Sequence, residues 1–458
     1  MKGNVAVTAY DQTLDRLYGH FPTLRRFPNM IDLSLHRVES ALDLLDKPHL
    51  KLPPTLHIAG TNGKGSTLAF ARSILEAAGL RVHAYTSPHL VSFHERINLA
   101  GSYISDAYFM ALVERVEKTT RDVQLTFFEF ITVLALLAFA ENPADVVLLE
   151  TGMGGRLDAT NIIPQPNVTA ITRISYDHRE YLGDDLLAIA REKAGIIKPN
   201  RPCILAWQAE DRVMELLQQQ AAELQAPVLA FGGEWGYEIN EDGTFLYKNR
   251  EQSISLPAPA LVGAHQYMNA ATSITSVLEI AAQQGFSCTA THIAEGLRRV
   301  YWPGRLQHVS SGTIAASLPA MGELWLDGAH NDSGAEILAA QLQQWQDKRL
   351  ILVLGMMERK NITEFIRPLW PWLETIITIP IEGVDCHSPE ALAAALLAEQ
   401  QANPCSQPLH ITTAASLEAG MALASTIINN APPPMAAATR VLATGSLYLV
   451  GQILAQSV

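Results

Sequence analysis

The chain has 458 residues, too many for one ordinary hydrophobic core, so two or three domains are expected. Hydrophobic residues make up 48% and charged residues 17%, a globular balance. Lys plus Arg (33) against Asp plus Glu (46) leaves a net charge of −13, which argues against nonspecific binding to nucleic acid or to an anionic membrane. Any polyanionic ligand must be held by a few local cations, metal ions or helix termini. Cys203, Cys288, Cys386 and Cys405 form no CxxC pair, so neither a zinc site nor a disulfide framework is expected. No basic segment followed by an apolar run opens the chain, and the longest apolar run, from Phe127 to Ala140, is broken by Glu129 and too short to span a bilayer. A cytoplasmic protein with no membrane partner is the expectation.

In chain order, Thr55-Leu56-His57-Ile58-Ala59 reads as a buried strand, followed by Gly60-Thr61-Asn62-Gly63-Lys64-Gly65-Ser66 and an amphipathic helix from Ser66 to Ala78 that stops at Gly79. Strand, glycine-rich turn and helix make a phosphate cradle, in which backbone N–H groups and the helix N-terminus face the anion and Lys64 adds a full charge. The match to the P-loop pattern is imperfect: Ile58 stands where its first glycine falls, and Gly65 follows the lysine. Arg81 to Thr86 then reads as a strand, Ser105 to Thr119 as a helix, and Phe127 to Glu141 as a buried helix. Asp145 to Glu150 and Asn167 to Ile174 are apolar strands, Leu186 to Ile197 a helix, Pro202 to Trp207 a strand, and Asp211 to Leu224 a polar helix. Such alternation predicts a parallel sheet covered on both faces. Residues 235–256 interrupt it with a hairpin-like patch around Glu241-Asp242-Gly243, and a helix from about Ala264 to Gln284 follows.

Breakers cluster at Tyr301-Trp302-Pro303-Gly304-Arg305, and beyond them strands at Leu324 to Leu326, Leu350 to Leu354, Thr375 to Ile379, Leu409 to Thr412 and Val441 to Ala443 alternate with helices. The fold class expected is α/β: a P-loop-containing, doubly wound, mostly parallel sheet domain (1–298), a linker (299–306) and a smaller Rossmann-like α/β domain (307–458). Pro432-Pro433-Pro434 reads as a loop.

Ligands of doubly wound sheets collect at the C-terminal strand ends, and polar residues fall there: Ser87, Glu150 and Asp177-His178. A carboxylate at such an end beside a phosphate cradle is where a nucleotide-bound Mg²⁺ is held, which favours Glu150. Ser87 alone reads as a turn residue, His178 alone as a surface or capping histidine, and Lys193 as a complement to its helix dipole. Gly152 to Asn161 offers close backbone approach together with Arg156 and Asp158, or is an ordinary turn. Arg305 is suited to a bidentate grip on phosphate, and Asp327-Gly328-Ala329-His330-Asn331 is a strand end running into a polar turn.

The segments GTNGKGS, TSPHL (86–90) with Glu95-Arg96, FFEF (127–130), LLETGMGGRLDATNII (148–163), DHREYLG (177–183), REKAGIIK (191–198), WPGRLQ (302–307) and DGAHN (327–331) together resemble the folylpolyglutamate synthase family, and within it the bacterial bifunctional enzymes. These are Mur-ligase-like ATP-dependent amide ligases, and the resemblance spans nearly the whole chain in order. It implies an ATP-dependent ligase that joins L-glutamate to dihydropteroate, giving dihydrofolate, and to reduced folates, through an acyl phosphate. It implies that Asn62, Gly63, Lys64 and Gly65 bind ATP, with Asn269, Arg305 and Asp327 completing the site. Ser87 and Glu150 would hold one Mg²⁺; Glu150, His178 and a carbamylated Lys193 would hold a second. Lys64, Glu150, His178 and Lys193 would carry the catalysis. Residues resembling the pterin-binding positions are Ile31, Asp32, Leu33, Thr126, Phe127, Phe128, Glu129, Leu157, Asp158 and Ala159.

Two departures stand out: Arg179-Glu180 replaces a frequent Thr-Asp pair, and Asp332 replaces a frequent proline. The expected partners are small molecules only, with no nucleic acid, and the expected state is a monomer. Alternatives are a folylpolyglutamate synthase alone, a sister ligase acting on a UDP-muramoyl peptide, and a P-loop nucleotide switch. The muramoyl ligases carry a substantial domain before the cradle, whereas 59 residues precede Gly60 here.

Overall fold

The computed structural model describes residues 8–21, 34–403, 409–430 and 439–457. Contacts divide the chain into two compact units. The first takes the described residues through His89, His94–Ala258 and Met268–Val300; the second takes Leu90–Phe93, Pro259–Tyr267 and the described residues from Tyr301 onward. The short segments at 90–93 and 259–267 fall within the span 1–298 expected for the first domain.

The first unit is organised by an eight-stranded sheet of β1 (Thr55–Ala59), β2 (Val82–Tyr85), β3 (Ile97–Leu99), β4 (Ser102–Tyr103), β5 (Val146–Glu150), β6 (Val168–Ile171), β7 (Cys203–Leu205) and β8 (Val228–Ala230), in the order β4-β3-β2-β5-β1-β6-β7-β8. Pairing is parallel from β2 across to β8 and antiparallel at β2–β3 and β3–β4. All residues of β1, β2, β5 and β6 are buried, as expected for a sheet with helices on both faces. A separate antiparallel sheet, β9 (Trp235–Ile239), β10 (Phe245–Asn249) and β11 (Ser253–Leu256), is the patch that breaks the alternation.

The helix Phe127–Glu141 starts from a capping box: Thr126 Oγ1 accepts from the Glu129 amide and Glu129 returns the bond to the Thr126 amide. From Phe130 to Phe139 it is buried without a break, so its apolar surface reflects an interior position.

The second unit holds a six-stranded sheet of β12 (Gln307–Val309), β13 (Gly322–Leu326), β14 (Arg349–Leu354), β15 (Thr375–Thr378), β16 (His410–Thr413) and β17 (Thr439–Thr444), in the order β12-β13-β17-β14-β15-β16. It is parallel except for the edge strand β12. Alternate residues feed two cores: Ile351, Val353, Val441 and Ala443 face one, Leu350, Leu352, Leu354 and Leu442 the other. Among the described residues no helix is long and apolar enough to cross a membrane. The triple proline at 432–434 lies outside the described residues.

Candidate active site

β1 delivers the chain into the glycine-rich turn, and the helix Lys64–Ala77 starts immediately after it. The turn is stapled to the loop after β6: the amides of Thr61 (2.9 Å) and Asn62 (3.3 Å) donate to the Arg173 carbonyl, and Thr61 Oγ1 donates to the Ser175 carbonyl (3.0 Å). Gly63 is required twice over. Its φ of +92° is left-handed, and a Cβ there would lie 2.5 Å from Asn269 Oδ1. Asn269 therefore meets the cradle. Ser273, one helical turn further on, fixes that contact by donating to the Thr67 carbonyl (2.7 Å).

Two lysines converge on one carbonyl of this turn. Lys64 Nζ donates to the carbonyls of Gly60 (3.1 Å) and Thr61 (3.2 Å), and Lys193 Nζ donates to the same Gly60 oxygen (3.0 Å). Lys193 sits in the last turn of the helix Leu186–Ala194, yet its side chain does not serve the helix end; it is buried and crosses to the cradle. Burial, and then the Lys64 charge, bring its amine down to about 7, against the opposing pull of Asp177 and Asp158. The Gly152–Asn161 loop packs on the same helix end: the Arg156 amide donates to the Glu192 carbonyl (2.7 Å), and its guanidinium pairs with Glu192 (2.9 Å).

Glu150 ends β5 opposite Ile58 of β1, two residues before Gly60, so the carboxylate shares a sheet rim with the cradle. It is buried, not edge-exposed, and accepts from the Ser87 amide (3.2 Å). That places a carboxylate beside a serine, a hard-oxygen donor pair suited to a divalent cation. His178 adopts a left-handed φ of +52° at the start of the short helix Arg179–Leu182, its Nε2 lying 4.0 Å from Asp177 Oδ2. Among the described residues, no three His, Cys, Asp or Glu side chains gather as a metal cluster. A second ion on Glu150, His178 and Lys193 therefore depends on what the Lys193 nitrogen carries.

The two phenylalanines of FFEF separate in role. Phe127 is buried and stacked on Tyr18 (4.3 Å between centroids), whereas Phe128 is half-buried and lays its ring over Gly152, where a Cβ would fall 2.4 Å from Cζ. Only a glycine at 152 tolerates that approach. Glu129 is committed to the capping box and to Arg37, whose guanidinium grips it from 2.7 Å. Asp158 is turned into its own loop: one oxygen accepts from the Gly152 and Met153 amides (2.9 Å each), the other from the Thr160 amide and hydroxyl (3.0 and 2.6 Å). Burial raises its carboxyl even against those bonds. Asp158 also caps the turn Ala159–Ile162, where Ala159 is buried; Leu157 is half-buried. Ile31, Asp32 and Leu33 lie outside the described residues.

In the second unit Asp327 follows β13, accepting from the amides of Leu306 and Ala329 (2.8 Å each). Burial raises its carboxyl, opposed first by Arg305. Arg305 lies close enough that a Cβ on Gly328 would come within 2.8 Å of its guanidinium. Asp332 opens the helix Asp332–Gln344, where an acid complements the N-terminal dipole and takes over the place of a proline. The other departure is also local: Arg179 pairs with Asp184 (2.6 Å) and stacks on Tyr176.

Two family models match: the Mur ligase middle domain over residues 58–277 and the dihydrofolate synthetase C-terminal domain over 314–456. The dihydrofolate synthase/folylpolyglutamate synthase of Bacillus subtilis is 33% identical over 375 residues, 79% of this chain and 83% of the relative. This chain belongs to the dihydrofolate synthase/folylpolyglutamate synthase family. Solved structures agree with that placement. The E. coli FolC structure in complex with DHPP and ADP superposes with a TM-score of 0.82 at 30% identity, covering 98% of this chain and 97% of that one. The Yersinia pestis bifunctional folylpolyglutamate synthase/dihydrofolate synthase complexed with AMPPNP and Mn ion also gives 0.82 at 30% identity, covering 98% of each chain.

For a member of this family the sequence left supporting residues unnamed. Ser273 was legible through its four-residue spacing from Asn269. Ser175 and Arg37 act through partners far away in the chain, and nothing local marks them.

Proposed function

We propose that this chain joins L-glutamate to dihydropteroate, giving dihydrofolate, and to reduced folates, in an ATP-driven ligation at one active centre. The observation that carries the assignment is the meeting of Lys64 and Lys193 on the Gly60 carbonyl, at the sheet rim that also holds Glu150 beside Ser87. A carboxylate is a poor acyl donor until one of its oxygens becomes a leaving group. The acceptor's carboxylate oxygen bonds to the γ-phosphorus while the β–γ bridging bond breaks and ADP departs. The glutamate amine, having lost a proton, then attacks the acyl carbon, and phosphate leaves as the amide forms.

Asn62, Gly63, Lys64 and Gly65 are proposed to bind the nucleotide with Asn269, and Arg305 and Asp327 are proposed as further nucleotide ligands. Lys64 leaves its backbone carbonyls to neutralise the transferring phosphoryl group, and the amides at the start of its helix hold the phosphates in line. Ser87 and Glu150 would hold Mg²⁺, whose contribution when bound is to offset phosphate charge. A second ion on Glu150, His178 and carbamylated Lys193 is part of the same proposal. An amine brought to about 7 is substantially neutral near neutral pH, the form that takes up CO₂ with loss of a proton. The resulting carbamate is an anionic oxygen ligand in place of a buried cation.

Phe128, over Gly152, is proposed as the aromatic wall for the flat pterin, with Leu157, Asp158 and Ala159 beside it. Phe127, Thr126 and Glu129 are proposed to support that wall from behind. A cytoplasmic monomer with no nucleic-acid partner completes the proposal, in keeping with a net charge of −13.

ADP release tests the proposal. It should require both an acceptor and glutamate. Release at the same rate with ATP alone would favour a nucleotide switch.

A further inference from the structure

Arg37 belongs to no motif singled out above. It lies in the helix His36–Leu44, which packs against two other pieces: the helix Phe127–Glu141 and the turn Ala159–Ile162. These carry Phe128 and adjoin Asp158 respectively. Arg37 grips Glu129 with a fork, Nη2 to Oε1 at 2.7 Å and Nε to the two oxygens at 3.1 and 3.2 Å. Glu129 Oε2 also accepts from the Thr126 amide (2.7 Å). The side chains of Arg37 and Glu129 are 24% and 8% exposed, so the pair has given up most of its water.

Burying charge is an expensive way to hold two helices together; an apolar pair of similar volume does it equally well or better. What the fork adds is direction. A planar guanidinium fixes a carboxylate in plane as well as in distance, and a lysine cannot. Glu129 follows Phe128 directly and closes the first turn of its helix. Its orientation therefore sets where the Phe128 ring emerges over Gly152.

We propose that Arg37 is a positioning residue for the acceptor: through Glu129 it fixes the pitch of the helix start that presents Phe128, without touching substrate itself. The proposal rests on the acceptor wall assigned above.

The test is steady-state kinetics on the full chain with dihydropteroate, ATP and glutamate varied in turn. The variants are Arg37→Lys and the double variant Arg37→Met with Glu129→Met, each with its melting temperature measured. Arg37→Lys keeps the charge and loses the fork. It should raise KM for dihydropteroate about tenfold, the scale of a small misplacement, and leave KM for ATP and glutamate unchanged. The apolar double variant, which also gives up the Thr126 amide's partner, should still fold cooperatively and still show the raised acceptor KM. An unchanged acceptor KM in both variants would overturn the proposal, leaving a purely structural pair. So would a parallel rise in KM for all three substrates. If the wild-type chain itself ligates glutamate to neither acceptor, the functional assignment falls, and this proposal with it.

Discussion

Lys64 and Lys193 turn their side-chain nitrogens onto backbone carbonyls at the cradle, and neither forms an ion pair with a carboxylate among the described residues. At the N-terminal ends of β14 and β17, in the second unit, the arrangement is reversed. Arg440 pairs with Asp347 (2.6 Å) and Glu323 (3.3 Å) and stacks on Trp345 (4.7 Å), Lys348 pairs with Glu323, and Arg349 pairs with Glu374 (3.0 Å). There every cation has its own anion. Asp347 sits below the ordinary carboxylate range chiefly because Arg440 bonds to it. The first cluster leaves the Lys64 charge available for an incoming anion; the second gives each of its cations a carboxylate. Amines without a carboxylate partner at a strand-end rim indicate chemistry, whereas an ion-pair network indicates structure.

The sharpest break between the two comes from removing one cation at each. Lys64→Ala should lower turnover by about three orders of magnitude, the scale of losing a main charge stabiliser of the transition state. Its melting temperature should hold or rise. Arg440→Ala should do the opposite, lowering stability by removing a buried side chain that packs on Trp345 and joins Asp347 to Glu323. Its turnover per folded molecule should stay near wild type. Turnover assays and chemical denaturation on both variants check this, and equal losses of activity would erase the distinction.

A second, smaller effect sharpens the cradle side. Lys193→Ala should cut turnover about a hundredfold, the upper range for disturbing a metal site's supporting ligands. Acetate or formate should restore part of the activity by supplying the missing carboxylate oxygens. No rescue at any concentration would count against a carbamate.

A further effect, on stability alone, concerns His57 in β1, which leads into the cradle. It is wholly buried, with Nε2 2.8 Å from Thr160 Oγ1, and burial, with Lys198 adding to it, lowers its pKa from 6.5 to about 3. Between those values the unfolded chain binds a proton that the folded chain refuses. Its contribution is therefore full above pH 6.5 and is lost as pH falls toward 3. Each pH unit in that window should cost up to about 1.4 kcal/mol through this one group. Denaturation of wild type and His57→Gln from pH 4 to 7 measures it; identical pH slopes would show that His57 does not titrate on unfolding.

How much of this was legible in sequence depends on how local the cause is. β1 and the cradle were plain, because a short, mostly apolar run, Thr55 to Ala59, precedes a Gly/Lys turn. The helix Phe127–Glu141 was bounded correctly from its long apolar run, and the capping box of Thr126 and Glu129 is what starts it there. The edge strands β4 and β12 and their short neighbour β3 were missed, being two or three residues long, with no run to detect. The helix Ala290–Arg299 was also missed, although Thr289 caps it and Ile293 and Leu297 keep helical spacing. Gly296 obscures the pattern. It is there for close packing, since a Cβ would lie 2.6 Å from Ile74 Cα. The Lys193–Gly60 bond and the Arg37–Glu129 fork join residues 133 and 92 positions apart, and no local pattern encodes either.

The most direct test of the central claim is product identity. Purified chain is given ATP, Mg²⁺ and L-glutamate with dihydropteroate or with a reduced folate in separate reactions, and the products are weighed by mass spectrometry. Both acceptors should gain glutamate, with ADP released in proportion. An extended folate with unchanged dihydropteroate would reduce the chain to a folylpolyglutamate synthase, and no glutamate on either acceptor would contradict the account.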